Sequence, residues 1–237
     1  MKKNIDIKNL IIAHRGIHDN DKVPENSLLA FKKAVNLSIP IELDVQLTKD
    51  NVLVVYHDRN LKRLTNINKD ISDLSFDEIK NINLLNTNEK IPTLQQVLKL
   101  VDGKVFLDIE LKPTKKVRII CKELYDTLKN YNGKYIVKSF DPRIVFYLRL
   151  HYPTIIRGLL LNNKNSKNNG NNMITNFLLI QLCKPDFLAV SKSLVNNKYF
   201  KKTMKKLPTL VWTINSKEDF NKIDAPVVGY ICNNLPF

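Results

Sequence analysis

Residues 39–47 read IPIELDVQL, a run in which apolar and polar positions alternate. The odd positions, from Ile39 to Leu47, are all apolar, whereas Glu42 and Asp44 occupy even positions. Side chains two apart on an extended strand share a face and lie about 7 Å from each other. The run therefore predicts a strand with one apolar face packed beneath helices. Glu42 and Asp44 project together from its other face.

Short apolar runs of this kind recur along the chain and alternate with amphipathic stretches, which predicts a parallel sheet covered by helices. Eight such units favour a TIM (β/α)8 barrel over an open doubly wound sheet, because the chain has only 6 glycines and no GxGxxG loop. A ninth run follows the second strand so closely that it must double back as a hairpin. The eight predicted strands are Leu10–Ala13, Ile39–Leu47, Val105–Leu111, Tyr135–Ser139, Ile155–Leu161, Phe187–Val190, Thr209–Ile214 and Val227–Cys232, and the hairpin strand is Val52–Tyr56.

Helix signals lie between these runs. An apolar stripe at helical spacing extends from Val117 to Leu128. Ser75 with Glu78 and Ser216 with Asp219 have the spacing of capping boxes, and Asp141 followed by Pro142 is typical of a helix start.

The chain of 237 residues has the size of one α/β barrel, so we expect a single domain over residues 1–237. The first apolar run, Leu10 to Ala13, is too short for the core of a signal peptide, and no stretch approaches the ~20 apolar residues that span a bilayer. We therefore expect a cytoplasmic protein without a transmembrane anchor. Cys121, Cys183 and Cys232 are expected to be buried and unpaired.

A formal net charge of +15 suits nucleic acid, an anionic membrane surface or phosphorylated small molecules as partners. The basic residues are scattered and form no dense run, so no nucleic-acid partner is predicted. The stretch from Asn162 to Asn172, rich in Asn and Lys, is predicted to be a mobile loop with no assigned role.

Charged side chains also follow other strands. Glu110 and Lys112 share a face at the end of a later strand, as Glu42 and Asp44 do on theirs. Either pair alone is as well explained by an amphipathic strand with a solvated face. Because barrel enzymes place their chemistry at the carboxyl ends of strands, Glu42, Asp44 and Glu110 together predict an all-oxygen site for Mg²⁺ or Ca²⁺.

Two histidines lie at the same predicted rim. His14 follows the first strand, and His57 ends the hairpin beside Asp58. A histidine after a strand is often structural, but two of them near a metal site can move protons close to neutral pH. Arg15 and Lys112 add the fixed positive charge that stabilises phosphoryl oxygens, so a phosphodiester is the substrate that this set favours.

With these residues the chain resembles a known family, that of the glycerophosphodiester phosphodiesterases. The resemblance runs in order along nearly the whole chain and is more specific in its N-terminal half. Its motifs are His14-Arg15-Gly16, Pro24-Glu25-Asn26-Ser27, Glu42-Leu43-Asp44-Val45, Thr48-Lys49-Asp50, His57-Asp58, Glu110-Leu111-Lys112, Ser139-Phe140 and Trp212-Thr213-Ile214-Asn215.

The resemblance implies a TIM barrel with a small insertion after the second strand, at about residues 51–93, and a divalent-metal phosphodiesterase. It implies that His14 and His57 form the acid/base pair, that Glu42, Asp44 and Glu110 bind the metal, and that Arg15 and Lys112 hold the phosphate. Ser139 and Trp212 become candidates for the substrate pocket. The chain departs from the family at its last strand, where Cys232 is followed by Asn233 and Asn234 and the expected carboxylate is missing.

We therefore predict hydrolysis of a small glycerophosphodiester to glycerol 3-phosphate and an alcohol. A second hypothesis is a phosphodiesterase for lysophospholipids or polyglycerol phosphate that makes transient contact with a membrane surface. A third is a non-catalytic barrel that binds anions or nucleic acid. The sequence leaves open the headgroup, the choice between Mg²⁺ and Ca²⁺, the role of each histidine, attack by water or through a cyclic phosphate, and the oligomeric state.

Overall fold

The computed structural model describes residues 7–162 and 177–233. The predicted Asn-rich loop, apart from Asn162, lies outside the described residues. Within the described part of the chain, no helix has both the length and the apolar character needed to cross a membrane.

In the described residues, nine strands follow the predicted order, and eight of them correspond to the predicted barrel strands. The second strand begins at Ile41 and not at Ile39, because Pro40 has no N–H to donate to a ladder. The strands are β1 Leu10–Ala13, β2 Ile41–Leu47, β3 Leu53–Val55, β4 Leu107–Leu111, β5 Tyr135–Ser139, β6 Arg157–Leu161, β7 Phe187–Ser191, β8 Thr209–Ile214 and β9 Gly229–Cys232.

Helices occupy the connections between the strands. They are α1 Leu28–Asn36, α2 Lys62–Thr65, α3 Phe76–Ile79, α4 Leu94–Val101, α5 Val117–Leu128, α6 Pro142–His151, α7 over residues 177–183, α8 Lys198–Met204 and α9 Lys217–Asn221, with a 3₁₀ turn at Ile71–Asp73.

The predicted helix starts are largely confirmed. Ser75 and Glu78 form a capping box at α3, and the Asp141 side chain accepts from Arg143 N at the start of α6. The predicted box at α9 is only half formed. Ser216 accepts from Asp219 N, but the Asp219 carboxylate accepts from Asn215 N and from Lys192, which draws it away from the Ser216 backbone.

The chain divides into two compact units. In the unit Ala13–Tyr135, β2 is central: it pairs in parallel with Ala13 of β1 and with β4, and antiparallel with the hairpin strand β3. In the other unit, β5 to β9 pair in sequential order and in parallel, and β1 is the neighbour of β9. Eight parallel strands with helices in their connections, plus one hairpin strand after the second, have the (β/α)8 topology of a TIM barrel.

Residues 51–93, the predicted insertion, contain β3, α2, the 3₁₀ turn and α3. This segment has an apolar cluster of its own, and Tyr56 Oη donates to the carbonyl oxygen of Leu61 just before α2. Leu61 and Leu64 are both buried in the cluster, so the short helix α2 is held at two points. The buried members are Val54, Tyr56, Leu61, Leu64, Ile71, Leu74, Ile79, Leu84 and Ile91.

The three cysteines are buried and free, as predicted. Burial raises the pKa of the Cys183 thiol to about 11 and that of Cys232 to about 12, so both remain protonated at neutral pH.

Candidate active site

Three carboxylates converge at neighbouring positions of β2 and β4. Glu42 and Asp44 share a face of β2, and Asp44 lies directly opposite Glu110 in the parallel ladder. All three residues are buried, and one oxygen of each lies within 4.8 Å of the others. The alternation in IPIELDVQL thus placed the first two correctly, and the pairing of β2 with β4 adds the third.

Two fixed cations contact this carboxylate cluster. Lys112 Nζ lies 2.8 Å from Asp44 Oδ1 and 2.6 Å from Glu110 Oε1. Arg15 Nε lies 3.3 Å from Asp44 Oδ2, and Arg15 N donates to Glu42 Oε2. Burial would favour neutral Asp44, but the charges of Lys112 and Arg15 keep the pKa of Asp44 well below its usual range. Asp44 therefore stays ionised.

The donor set fits a hard divalent cation. Three buried carboxylates lie together here, and burying like charges in one place is costly unless a cation joins them. All three groups offer oxygen, the ligand atom of Mg²⁺ and Ca²⁺.

The turn after β1 positions His14 and Arg15. Arg15 has a φ of 57°, and Gly16 has a φ of 80°. A Cβ at Gly16 would lie 2.9 Å from the carbonyl carbon of Ala30, so the close approach to α1 also requires glycine. In this turn His14 Nε2 lies 3.9 Å from Glu42 Oε2.

Asn26 fixes Asp44 from a second loop. Its φ of 57° lies in the left-handed region that asparagine tolerates. Its Nδ2 donates to Asp44 Oδ2 at 2.9 Å, and its Oδ1 accepts from Asp44 N at 3.3 Å. The sequence motif contained Asn26, but its spacing gave no indication of this contact.

His57, which follows β3, is paired with Asp58. Nδ1 of His57 lies 2.6 Å from Asp58 Oδ1. Burial would raise the pKa of Asp58, but hydrogen bonds from Arg63 and His57 lower it, so the carboxylate only accepts. Nδ1 must then carry the proton, which leaves Nε2 of a neutral ring unprotonated. Burial lowers the pKa of His57 despite the opposing charge of Asp44, so the ring is neutral at pH 7.

Glu25 joins Arg15 to Arg63. Its carboxylate accepts from Arg15 Nη1 at 2.7 Å, from Arg63 Nη2 at 2.7 Å and Nη1 at 3.0 Å, and from Asn20 Nδ2 at 2.8 Å. Burial opposes its ionisation, but the Arg63 hydrogen bonds and the two guanidinium charges lower the pKa of Glu25 to about 2. Glu25 belongs to a sequence motif but had no predicted role in the site, and no sequence pattern marked Arg63.

Ser139 and Trp212 lie near the ends of β5 and β8 in the other compact unit. Ser139 is buried, and its Oγ accepts from Asp141 N at 3.0 Å. Trp212 Nε1 donates to Ala189 O at 3.1 Å, and its ring packs edge-on against Phe140. Their assignment to the substrate pocket stays a prediction.

The eight-strand topology is that of a TIM barrel, and the charged side chains of the unit Ala13–Tyr135 have the chemistry of an enzyme site for a phosphorylated substrate. Residues 14–235 match the model of the Glycerophosphoryl diester phosphodiesterase family, and the chain therefore belongs to this family. Its activity is that of a glycerophosphodiester phosphodiesterase.

Similar proteins agree with this result. A glycerophosphodiester phosphodiesterase of Caldanaerobacter subterraneus subsp. tengcongensis is 39% identical over 165 residues, which cover 65% of this chain and 67% of that protein. The Bacillus subtilis protein YhdW is 31% identical over 240 residues, which cover 95% of this chain and 94% of that protein.

Solved structures have the same fold. A glycerophosphodiester phosphodiesterase from Thermotoga maritima is 28% identical, with a TM-score of 0.74 and 95% of each chain covered. An Oleispira antarctica phosphodiesterase, solved in complex with the product sn-glycerol-3-phosphate, is 21% identical, with a TM-score of 0.79 over 95% of this chain and 93% of that one.

Proposed function

We propose that this enzyme hydrolyses small glycerophosphodiesters to glycerol 3-phosphate and an alcohol, in a divalent-metal-dependent reaction with His14 and His57 as the acid/base pair. The observation that carries the proposal is the buried cluster of Glu42, Asp44 and Glu110, which is in contact with Arg15 and Lys112. The product bound to the Oleispira antarctica enzyme supports glycerol 3-phosphate as the product here.

Arg15 and Lys112 would hold the phosphate. Both are largely buried, which strengthens their charge interactions because water screens them poorly. Arg15 also offers a planar set of donors that suits phosphoryl oxygens. A phosphodiester carries one negative charge, and charge builds up on its oxygens in the transition state, so fixed cations at this place lower the barrier.

Glu42, Asp44 and Glu110 would hold Mg²⁺ or Ca²⁺. A bound divalent ion supplies Lewis-acid polarisation of the phosphoryl oxygens and lowers the pKa of bound water. The chain's own contribution is to keep the three carboxylates in place, and Asn26 and Lys112 do this for Asp44 through direct contacts.

His57 is suited to proton transfer through Nε2. With Nδ1 directed to Asp58, its unprotonated Nε2 can accept a proton at neutral pH. His14, on the turn after β1, would be its partner, so that one ring activates the attacking oxygen and the other protonates the leaving alcohol. Ser139 and Trp212 stay candidates for the substrate pocket.

The test is release of glycerol 3-phosphate from glycerophosphocholine by the variants His14→Ala and His57→Ala. General acid–base catalysis contributes about 10²–10⁴-fold, so we expect each variant to lose at least about 100-fold in kcat. His151→Ala is the matched control, because His151 stacks on Tyr147 at the end of α6 and has no part in the proposed reaction. It should keep the wild-type rate. Full activity of either His14→Ala or His57→Ala would remove that residue from the reaction.

A further inference from the structure

Arg63 makes contacts with two different carboxylates at once. Its Nε donates to Asp58 Oδ2 at 2.5 Å, while Nη1 and Nη2 donate to the two oxygens of Glu25 at 3.0 and 2.7 Å. All three nitrogens of the guanidinium are therefore used. A lysine at this position has a single nitrogen and could not reproduce this planar set.

The two carboxylates lead to different side chains of the proposed site. Asp58 accepts from His57 Nδ1, and Glu25 accepts from Arg15 Nη1. A continuous hydrogen-bonded path thus runs from His57 through Asp58, Arg63 and Glu25 to Arg15.

From this path we infer that Arg63 is a positioning residue, which holds the proton-transfer histidine and the phosphate-holding arginine in a fixed relation. The inference rests on the proposed function, since it takes the roles of His57 and Arg15 from it. Arg63 itself touches neither the carboxylate cluster nor, as proposed, the substrate.

The apolar cluster of residues 51–93 explains why Arg63 can act in this way. Its neighbour Leu64 is buried in that cluster, and so is Leu61 at the start of α2. The backbone of Arg63 is therefore anchored, while its side chain is about two-fifths exposed, with 42% of its surface accessible. Packing of the segment fixes where the guanidinium sits, and the guanidinium fixes Asp58 and Glu25.

Removing Arg63 should misalign both His57 and Arg15. Asp58 would lose the donor that opposes its rotation away from His57, and Glu25 would keep only Arg15 and Asn20 as side-chain donors. Loss of a partner that orients a metal-binding histidine typically costs about 10–100-fold in activity, and Arg63 orients His57 through Asp58 in a comparable way. We expect Arg63→Gln to lower kcat by that factor, and to raise KM by less.

The experiment combines Arg63→Gln with Asp58→Asn in a double-mutant cycle, measured as glycerol 3-phosphate release from glycerophosphocholine. If Arg63 acts on His57 through Asp58, the loss in kcat of the double variant is smaller than the product of the two single losses. Losses that multiply would overturn the inference. Arg59→Gln is the matched control, because Arg59 binds Asp70 at 2.6 Å in the same segment and is 83% exposed. It should retain wild-type kcat.

Chemical rescue separates positioning from folding. In Arg63→Ala, added methylguanidinium should restore part of the lost kcat, because the partly exposed site can accept a free guanidinium between Glu25 and Asp58. The same addition should leave Arg59→Ala unchanged. An Arg63→Ala protein that is folded by circular dichroism, inactive and not rescued would overturn the inference.

Failure of this inference is distinguishable from failure of the proposed function. An active His57→Ala protein contradicts the proposed acid/base pair itself. An inactive His57→Ala protein together with a fully active Arg63→Gln protein contradicts only the role of Arg63.

Discussion

At the scale of single residues, the site depends on buried charges that are compensated by specific partners. Glu25 is one example: it is 2% exposed, and two guanidinium groups and one amide donate to its carboxylate. Removing one partner of such a set leaves another charge buried and uncompensated, which usually costs more than the pair itself contributes. The ionisation of Glu25 should therefore contribute to the pH dependence of the free energy of unfolding.

We expect the folded protein to lose stability in acid partly through Glu25. Its pKa is about 2 when folded and about 4.3 in an unfolded chain, so its contribution is complete above pH ~5 and is lost as the pH falls toward 2. The contribution is on the order of 3 kcal/mol. In urea unfolding, the stability gap between wild type and Glu25→Gln should narrow by about half of this amount between pH 6 and pH 3. A stability gap that stays constant between pH 6 and pH 3 would contradict the lowered pKa of Glu25 in the folded protein.

At the scale of elements, the strands were predictable because their period is local. The alternation in residues 39–47 gave β2 and the shared face of Glu42 and Asp44 without reference to any other part of the chain. The contact between Glu25 and Arg63 was not predictable in this way, since 38 positions separate the two residues and only the packing of the inserted segment brings them together. No period or cap spacing marks Arg63, and α2 has only 4 residues.

The inserted segment should therefore affect activity through its apolar cluster. Leu64→Ala removes a buried side chain beside Arg63, and we expect a loss of about 2–4 kcal/mol in the free energy of unfolding. A drop in kcat should accompany it, since the anchoring of Arg63 is loosened. The control is Leu37→Ala, because Leu37 is 65% exposed and its removal leaves no cavity. Thermal unfolding and steady-state kinetics are measured on both variants. Equal stability of Leu64→Ala and Leu37→Ala would contradict the predicted role of the apolar cluster.

At the scale of the whole molecule, the eight-unit pattern predicted the (β/α)8 fold correctly, and the family model matches residues 14–235. The residues of the proposed chemistry come from the turn after β1, from β2, from the end of the hairpin and from β4, all within the unit Ala13–Tyr135. Sequence patterns named the charged residues of this set. Their partners Asn26, Glu25 and Arg63 required the tertiary structure, because the contacts Asn26–Asp44 and Glu25–Arg63 join side chains that are 18 and 38 positions apart in the sequence.

The central claim is that the carboxylate cluster works with a divalent metal, and one measurement tests it most directly. The protein is stripped with EDTA, dialysed, and assayed for release of glycerol 3-phosphate from glycerophosphocholine before and after Mg²⁺ or Ca²⁺ is added. We expect the stripped protein to lose at least about 100-fold in rate and one of the two ions to restore it, whereas Glu110→Gln should show little restoration at the same ion concentration. Full activity of the stripped protein would contradict the account.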